Sequence, residues 1–213
     1  MPRVTLSFDN GPDPEVTPHV LDVLARRGLN SCFFVIGRKL ADPTGRALAE
    51  RARQEGHWIG NHTWTHGTPL GDLGDETRSV EEIVRTQAEI GDLAHPRRWF
   101  RPFGGGGRIG PWLLSAAARD HLLAERFSLV LWNSIPRDWE LHDEWPARAL
   151  ADCRRRDHTL VVLHDHVAPA VRHLDRFVGT LIDEGFETSQ SFPEDCVPVE
   201  SGRARAPLDR YVR

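Results

Sequence analysis

Short runs of β-branched, aromatic and aliphatic residues are followed, again and again along this chain, by stretches carrying helix start and stop signals. No other feature constrains the fold as much. Val4–Phe8 reads as a strand, and Thr17-Pro18 then opens a helix that ends near Arg27 with Gly28 as its stop. Ser31–Ile36 is the next strand, and Asp42-Pro43 opens a helix through Arg53 that Gly56 terminates. Trp58–Gly60, Trp99–Phe103, Phe127–Asn133 and Thr159–His164 read as further strands, with a weak seventh near Phe186–Thr188. Helical stretches separate them at Asp75–Leu93, Pro111–Ala118, Trp145–Arg154 and Val171–Glu184. In the first of these, Val80, Ile83, Val84, Gln87 and Ile90 form a mostly apolar stripe. Strands alternating with helices at this spacing predict an α/β fold of six or seven parallel strands closed, or partly closed, into a barrel.

The polar residues sharpen that expectation. "DN" (Asp9, Asn10) follows the first strand, "HTWTH" the third, "RPFG" closes the fourth, "RDW" follows the fifth and "LHD" ends the sixth. "SFDNGPDP" read alone is a turn, since Asp, Asn, Gly and Pro all suit one. Five polar clusters at the same edge of a parallel barrel describe one site, because that rim is where such barrels collect binding and catalytic groups.

His62 and His66 have a spacing that brings two imidazoles to one metal ion when the segment turns helically, although such pairs also arise by chance among eleven histidines. Asp9 and Asn10 supply a carboxylate and an amide oxygen, one to complete a metal site and the other to act as base. His164 is the natural acid for a departing amine, or else a buried histidine ending strand six. Arg101 is placed to hold the base carboxylate and Asp138 to keep His164 cationic, unless each forms an ordinary ion pair. Trp64, Trp132, Trp139 and Trp145 suit stacking on sugar rings or core packing; Trp139, beside Asp138, is the one best placed for substrate. Gly104–Gly107 lacks the Gly-Lys-Ser/Thr sequel of a phosphate loop and reads as chain passing close to a pocket.

Composition excludes other chemistries. A formal charge of -4 with interspersed signs leaves no basic footprint for nucleic acid, and no apolar run is long enough for membrane insertion. Lys39 is the only lysine, which removes most routes through an amine nucleophile. The three cysteines, Cys32, Cys153 and Cys196, form neither a disulfide framework nor a metal knuckle, and with no leader before the first strand they point to a cytoplasmic protein, or to a secreted one if a longer precursor exists. One domain is expected over residues 1–190, with residues 191–213 as an extended surface tail. Oligomeric state is not legible.

These motifs, in this order, resemble those of the NodB-homology polysaccharide deacetylases, carbohydrate esterase family 4. "SFDNGP" is similar to the family's Phe-Asp-Asp-Gly-Pro, "HTWTH" to His-Ser/Thr-x-x-His, "RPFG" to Arg-Pro-Tyr/Phe-Gly, "RDW" to Asp-Trp and "VLHD" to Leu-x-His, and the likeness runs from Val4 to Thr188. The resemblance implies an irregular (β/α) barrel, a divalent metal cofactor with zinc the expected ion, and removal of N-acetyl groups from acetylated amino sugars. It implies Asp9 as base, Asn10, His62 and His66 as metal ligands, and Arg101 orienting Asp9. It also implies a Phe103 N–H for the oxyanion, Asp138 tuning His164, and Trp139 with Leu163 lining the acetyl pocket. Two departures stand out. Asn10 replaces the usual metal-binding Asp, a substitution some members share, and Ile135 replaces the first Asp of a longer Asp-x-x-Asp-Trp form. A small N-acyl or N-formyl substrate, and a carbohydrate-binding relative without catalysis, are the rival readings.

Overall fold

Local sequence sets most element boundaries through their end groups. The Asp42 carboxylate accepts the N–H groups of Thr44 and Gly45, with Pro43 in the first turn behind it, and Gly28 closes the first helix in a left-handed conformation at φ 64°. The computed structural model describes all residues, Met1–Arg213. In chain order it comprises β1 (Arg3–Asp9), α1 (Thr17–Arg27), β2 (Cys32–Val35), the single turn α2 (Gly37–Leu40), α3 (Pro43–Gln54), β3 (Trp58–Asn61) and α4 (Glu76–Ile90). There follow β4 (Trp99–Phe100), α5 (Ala116–Ala124), β5 (Ser128–Leu129), α6 (Trp145–Cys153), β6 (His158–His164), α7 (Ala168–Val171), α8 (Leu174–Asp183), β7 (Glu187–Thr188), β8 (Val199–Glu200) and β9 (Arg203–Ala204).

Two helices depart from the sequence reading. Pro111–Leu113 is only a 3-10 turn, and α5 begins at Ala116 because the Ser115 side chain caps it by accepting the Ala118 N–H. In α4 the buried face is Ser79, Glu82, Ile83, Thr86 and Ile90, while Val84 is 44% exposed. Counting apolar residues misplaces this face because its polar members find partners inside: the Ser79 and Ser115 hydroxyls share a hydrogen bond of 2.6 Å, and the Thr86 hydroxyl donates to the Glu82 carbonyl at 3.0 Å.

The strands pair in the order β6-β1-β2-β3-β4-β5, all parallel, and β7 joins β1 in parallel at Arg3 and Val4. This is the irregular (β/α) barrel of six to seven parallel strands that the sequence predicts. Between β5 and β6 closure is minimal: one parallel bridge joins Ser134 to Val161. Along that edge the N–H groups of Leu160, Val162 and His164 donate to the Asn133 Oδ1 (2.8 Å), the Ser134 carbonyl (3.1 Å) and the Asp138 Oδ2 (2.8 Å). Side chains stand in for a missing ladder.

Strand parity sorts the interior. On β1, Val4, Leu6 and Phe8 join the large apolar cluster with Val20, Leu21 and Leu24 of α1 and Phe177, Val178 and Leu181 of α8. The alternate residues, Thr5, Ser7 and Asp9, are buried and polar on the opposite face. Residues 191–213, expected as an extended tail, instead add the antiparallel strands β8 on β5 and β9 on β8, and bury Val197, Val199, Leu208 and Tyr211. No helix is long and apolar enough to cross a membrane.

Truncation after Pro198 removes three of those buried side chains, each contributing about 1.5–3 kcal/mol. Urea unfolding of the shortened chain should show a loss of at least about 4 kcal/mol.

Candidate active site

Asp9 and His164 are the last residues of β1 and β6, and the parallel register sets them side by side as Cα partners. His62 and His66 follow β3, and Arg101 to Phe103 follow β4, so the polar clusters meet at the C-terminal mouth of the barrel. A cavity of about 280 Å³ opens there, lined by Asp9, Asn10, His62, His66, Phe103, Trp139 and His164. Arg101 and Asp138 lie behind this wall and act through the groups they hold.

Arg101 is fully buried. Its guanidinium donates to Asp9 Oδ1 at 2.7 Å and to the Ser7 hydroxyl at 2.8 Å, and lies over the Phe34 ring, 4.0 Å from its centroid. The Arg101 carbonyl accepts the Nδ1–H of His62 at 2.7 Å, which leaves the His62 Nε2 lone pair free, 3.5 Å from Asp9 Oδ2. Burial pushes the His62 pKa down to about 3, with the positive charges of Arg101 and His164 acting in the same direction. Burial and the neighbouring His62 push His66 down to about 2, and the two rings lie 4.6 Å apart between centroids. Both imidazoles are therefore neutral at any working pH and able to donate a lone pair.

The amide of Asn10 completes the donor set. Its Oδ1 is buried and has no hydrogen-bond partner, a costly arrangement unless a ligand meets it. The backbone is left-handed at Asn10 (φ 78°), Thr63 (68°) and His66 (53°), so local strain gathers where the donors converge. No three His, Cys, Asp or Glu side chains are placed to hold a metal ion. Two imidazoles and one orphaned amide oxygen nevertheless fit a divalent cation by their chemistry, with no anionic ligand among them.

On the opposite flank, the His164 Nδ1–H donates to Asp138 Oδ1 at 2.7 Å, and the His164 backbone N–H donates to Asp138 Oδ2 at 2.8 Å. Burial alone would lower the His164 pKa, but the charge and hydrogen bond of Asp138, with the charges of Asp9 and Asp165, hold it above the ordinary imidazole value. With Nδ1 committed to Asp138, Nε2 is the nitrogen left to present a proton. The Trp139 ring meets the His164 ring edge-on, at 4.9 Å between centroids.

The sequence reading differs from the structure in several places. Leu163, expected on the acetyl-pocket wall, points away into the apolar cluster beneath the helices; Val162, in register with His164 on the inward face of β6, lines the cavity instead. Trp132 and Trp139 line the cavity, whereas Trp145 is fully buried with its indole N–H on the Ala170 carbonyl at 3.1 Å. Trp64 is outside the cavity, under the guanidinium of Arg85. Gly104–Gly107 forms one wall, as expected of chain passing close to a pocket, and Ile135 and His166 were not singled out as wall residues. Asp165 was missed too: it is buried, its pKa is pushed up to about 6 by burial, and its Oδ2 accepts the Thr17 hydroxyl at 2.6 Å. A Cβ at Gly11 would sit 2.0 Å from that oxygen, so "NGP" needs its glycine for close approach.

Comparison with known proteins agrees with this architecture. Residues 1–115 match the family of polysaccharide deacetylases. The chain is 28% identical over 189 residues to the peptidoglycan-N-acetylglucosamine deacetylase PgdA of Listeria monocytogenes, a match covering 87% of this chain and 37% of that longer protein. It thus spans little more than a third of that relative. It is 33% identical over 205 residues to the chitooligosaccharide deacetylase of Sinorhizobium fredii, covering 87% of this chain and 88% of the other. The structure of a family 4 acetyl xylan esterase from Clostridium thermocellum, in complex with a cobalt ion, superimposes with a TM-score of 0.71 at 27% identity, covering 88% of this chain and 87% of that one.

Arg101→Ala would leave the Asp9 carboxylate buried without its cation. Chemical unfolding at neutral pH should register a loss of about 3–5 kcal/mol, and Arg101→Lys should recover part of it.

Proposed function

Since the chain belongs to the polysaccharide deacetylase family, we propose that it is a metal-dependent amide hydrolase that removes acetyl groups from N-acetylated amino sugars in an oligosaccharide or polysaccharide. The observation that carries this reading is the pairing, across one cavity, of a carboxylate fixed by Arg101 and an imidazole bonded through Nδ1 to Asp138, with two imidazoles and an orphaned amide oxygen beside the carboxylate. Asn10, His62 and His66 would hold the cation, and zinc suits two imidazole nitrogens and an oxygen. When bound, such an ion supplies Lewis acidity to the acetamide carbonyl and to water.

The chain's own groups account for the proton movements. Asp9 Oδ1 is fixed by Arg101, so Oδ2 is the oxygen that takes a proton from the attacking water. The Phe103 N–H has no acceptor among the chain's carbonyls, and donates to the carbonyl oxygen as negative charge develops there. His164 passes the proton on Nε2 to the amine as the carbon–nitrogen bond breaks, and Asp138 keeps that proton in place until then. Trp132, Trp139, Ile135 and Val162 offer apolar surface to the acetyl methyl and to the sugar's C–H face.

The direct test is acetate release by the zinc-loaded chain from a panel of acetylated amino-sugar oligomers, with small N-acyl and N-formyl amides alongside. Release from the oligomers, abolished by a chelator and restored by zinc, is the expected result. Activity confined to the small amides would overturn the substrate class, and stoichiometric zinc with no release from any amide would overturn the catalytic reading.

The raised His164 pKa gives the pH dependence its sign. The acid is protonated below that value, so kcat should fall as pH rises through it, on the alkaline side of the ordinary imidazole value near 6.5. Asp138→Asn removes the charge that holds the proton. Its kcat profile should therefore turn down about one pH unit earlier, equivalent to about 1.4 kcal/mol; an unmoved alkaline limb would exclude His164 as the acid.

A further inference from the structure

The turn that carries His62 and His66 has its backbone donors held from outside the turn. The His62 N–H donates to the Val35 carbonyl at 3.0 Å and the Thr63 N–H to the Asn61 Oδ1 at 3.0 Å. The two remaining N–H groups between the histidines, those of Trp64 and Thr65, both donate to one carboxylate oxygen, Glu82 Oε2, at 2.9 and 2.8 Å. The other oxygen, Glu82 Oε1, accepts the Thr65 hydroxyl at 2.8 Å. Glu82 lies on the inward face of α4 and is 7% exposed, a long way inside for an acidic side chain with no cation paired to it. Three charge-assisted hydrogen bonds to a single turn are what hold it there.

α4 grips the turn at further points. The Asn61 Nδ2 donates to the Ile83 carbonyl at 2.9 Å, and the Arg85 guanidinium sits 4.2 Å from the Trp64 ring centroid. On the other side α2 takes the Thr63 and Trp64 carbonyls through the N–H groups of Gly37 and Arg38, at 3.0 and 3.2 Å. Thr63 and His66 lie in left-handed backbone conformations that cost of order 1–3 kcal/mol each, and such strain persists only where the surroundings over-determine it.

We propose that Glu82 is a positioning residue for the metal site: its carboxylate fixes the Thr63–Thr65 turn, and through it the separation and aim of His62 and His66. This rests on the reading that those imidazoles hold a cation. The carboxylate touches neither imidazole in the hydrogen-bond network. It acts by paying the ordering cost of the turn before an ion arrives.

The test is the zinc dissociation constant of the full chain, by competition with a chromophoric chelator, together with amide hydrogen exchange at Trp64 and Thr65 in the metal-free protein. Glu82→Ala should weaken zinc binding about 10- to 100-fold and lose exchange protection at those two amides. At saturating zinc its kcat should return to within a few-fold of the parent's. Glu82→Gln keeps a carbonyl oxygen for the two N–H groups and an amide that can donate to the Thr65 hydroxyl. It should bind zinc within about fivefold of the parent, an intermediate loss in keeping with a neutral hydrogen bond replacing a charge-assisted one. If Glu82→Ala does not fold, Thr65→Val with Glu82→Gln must together weaken zinc more than Glu82→Gln alone. A parent that binds zinc and a folded Glu82→Ala that binds it equally well would overturn the positioning role. A parent that binds no zinc would overturn the metal reading itself, and this proposal with it.

Discussion

A guanidinium with no exposure to solvent sits inside this barrel, and the geometry of its mouth follows from how that charge is satisfied. Arg101 reaches Asp9 and Ser7 on β1 and approaches the carbonyls of Val130 and Leu131, at 3.4 and 3.3 Å, while its own carbonyl accepts a hydrogen bond from the His62 Nδ1–H. Three parts of the barrel wall are thereby tied to one residue, two by its side chain and one by its carbonyl. The guanidinium orients the carboxylate, and the backbone carbonyl of the same residue selects the tautomer of the neighbouring imidazole, so one residue fixes both groups.

Much of this was legible in the sequence, because the informative residues sit where local rules are strong. Strand ends are marked by a change from apolar runs to polar clusters, and in a parallel barrel those ends converge whatever the details of packing. Asp9, Asn10, His62, His66, Phe103, Trp139 and His164 all line one cavity for that reason. What escaped were the properties that depend on parity and partners. Leu163 and Val162 differ only in which face of β6 they occupy, and a run of consecutive apolar residues carries no sign of its own parity. In α4 the apolar stripe places Val84 inside and does not include Glu82. The reverse holds because the turn after β3 offers Glu82 three donors that no sequence window of α4 contains. The tail escaped likewise, since β8 needs the edge of β5 to become a strand.

The choice of Asn10 changes the electrostatics of the donor set without emptying it. A carboxylate there would lend a full negative charge to a bound cation, and the amide lends only a dipole. With both imidazoles neutral, the nearest compensating charge is Asp9, one residue away and already committed to Arg101. If this set holds a cation as proposed, retention would lean on preorganisation: strained backbone at Asn10 and His66, a tautomer fixed by the Arg101 carbonyl, and a turn whose N–H groups from His62 to Thr65 are all engaged.

The barrel is stitched shut between its fifth and sixth strands by a single backbone bridge and a few side-chain bonds, and Asp138 supplies the uppermost of those stitches. That seam is held by side chains as much as by backbone, unlike the neighbouring β1–β6 junction, where seven residue pairs run in register. A local opening there would part His164 from Asp138, while Asp9, His62 and His66 stand on β1 and on the turn after β3, away from the seam. On the proposed roles, the proton donor and the base hang on different junctions of the wall, Asp138–His164 on the β5–β6 seam and Arg101–Asp9 on the span from β4 to β1.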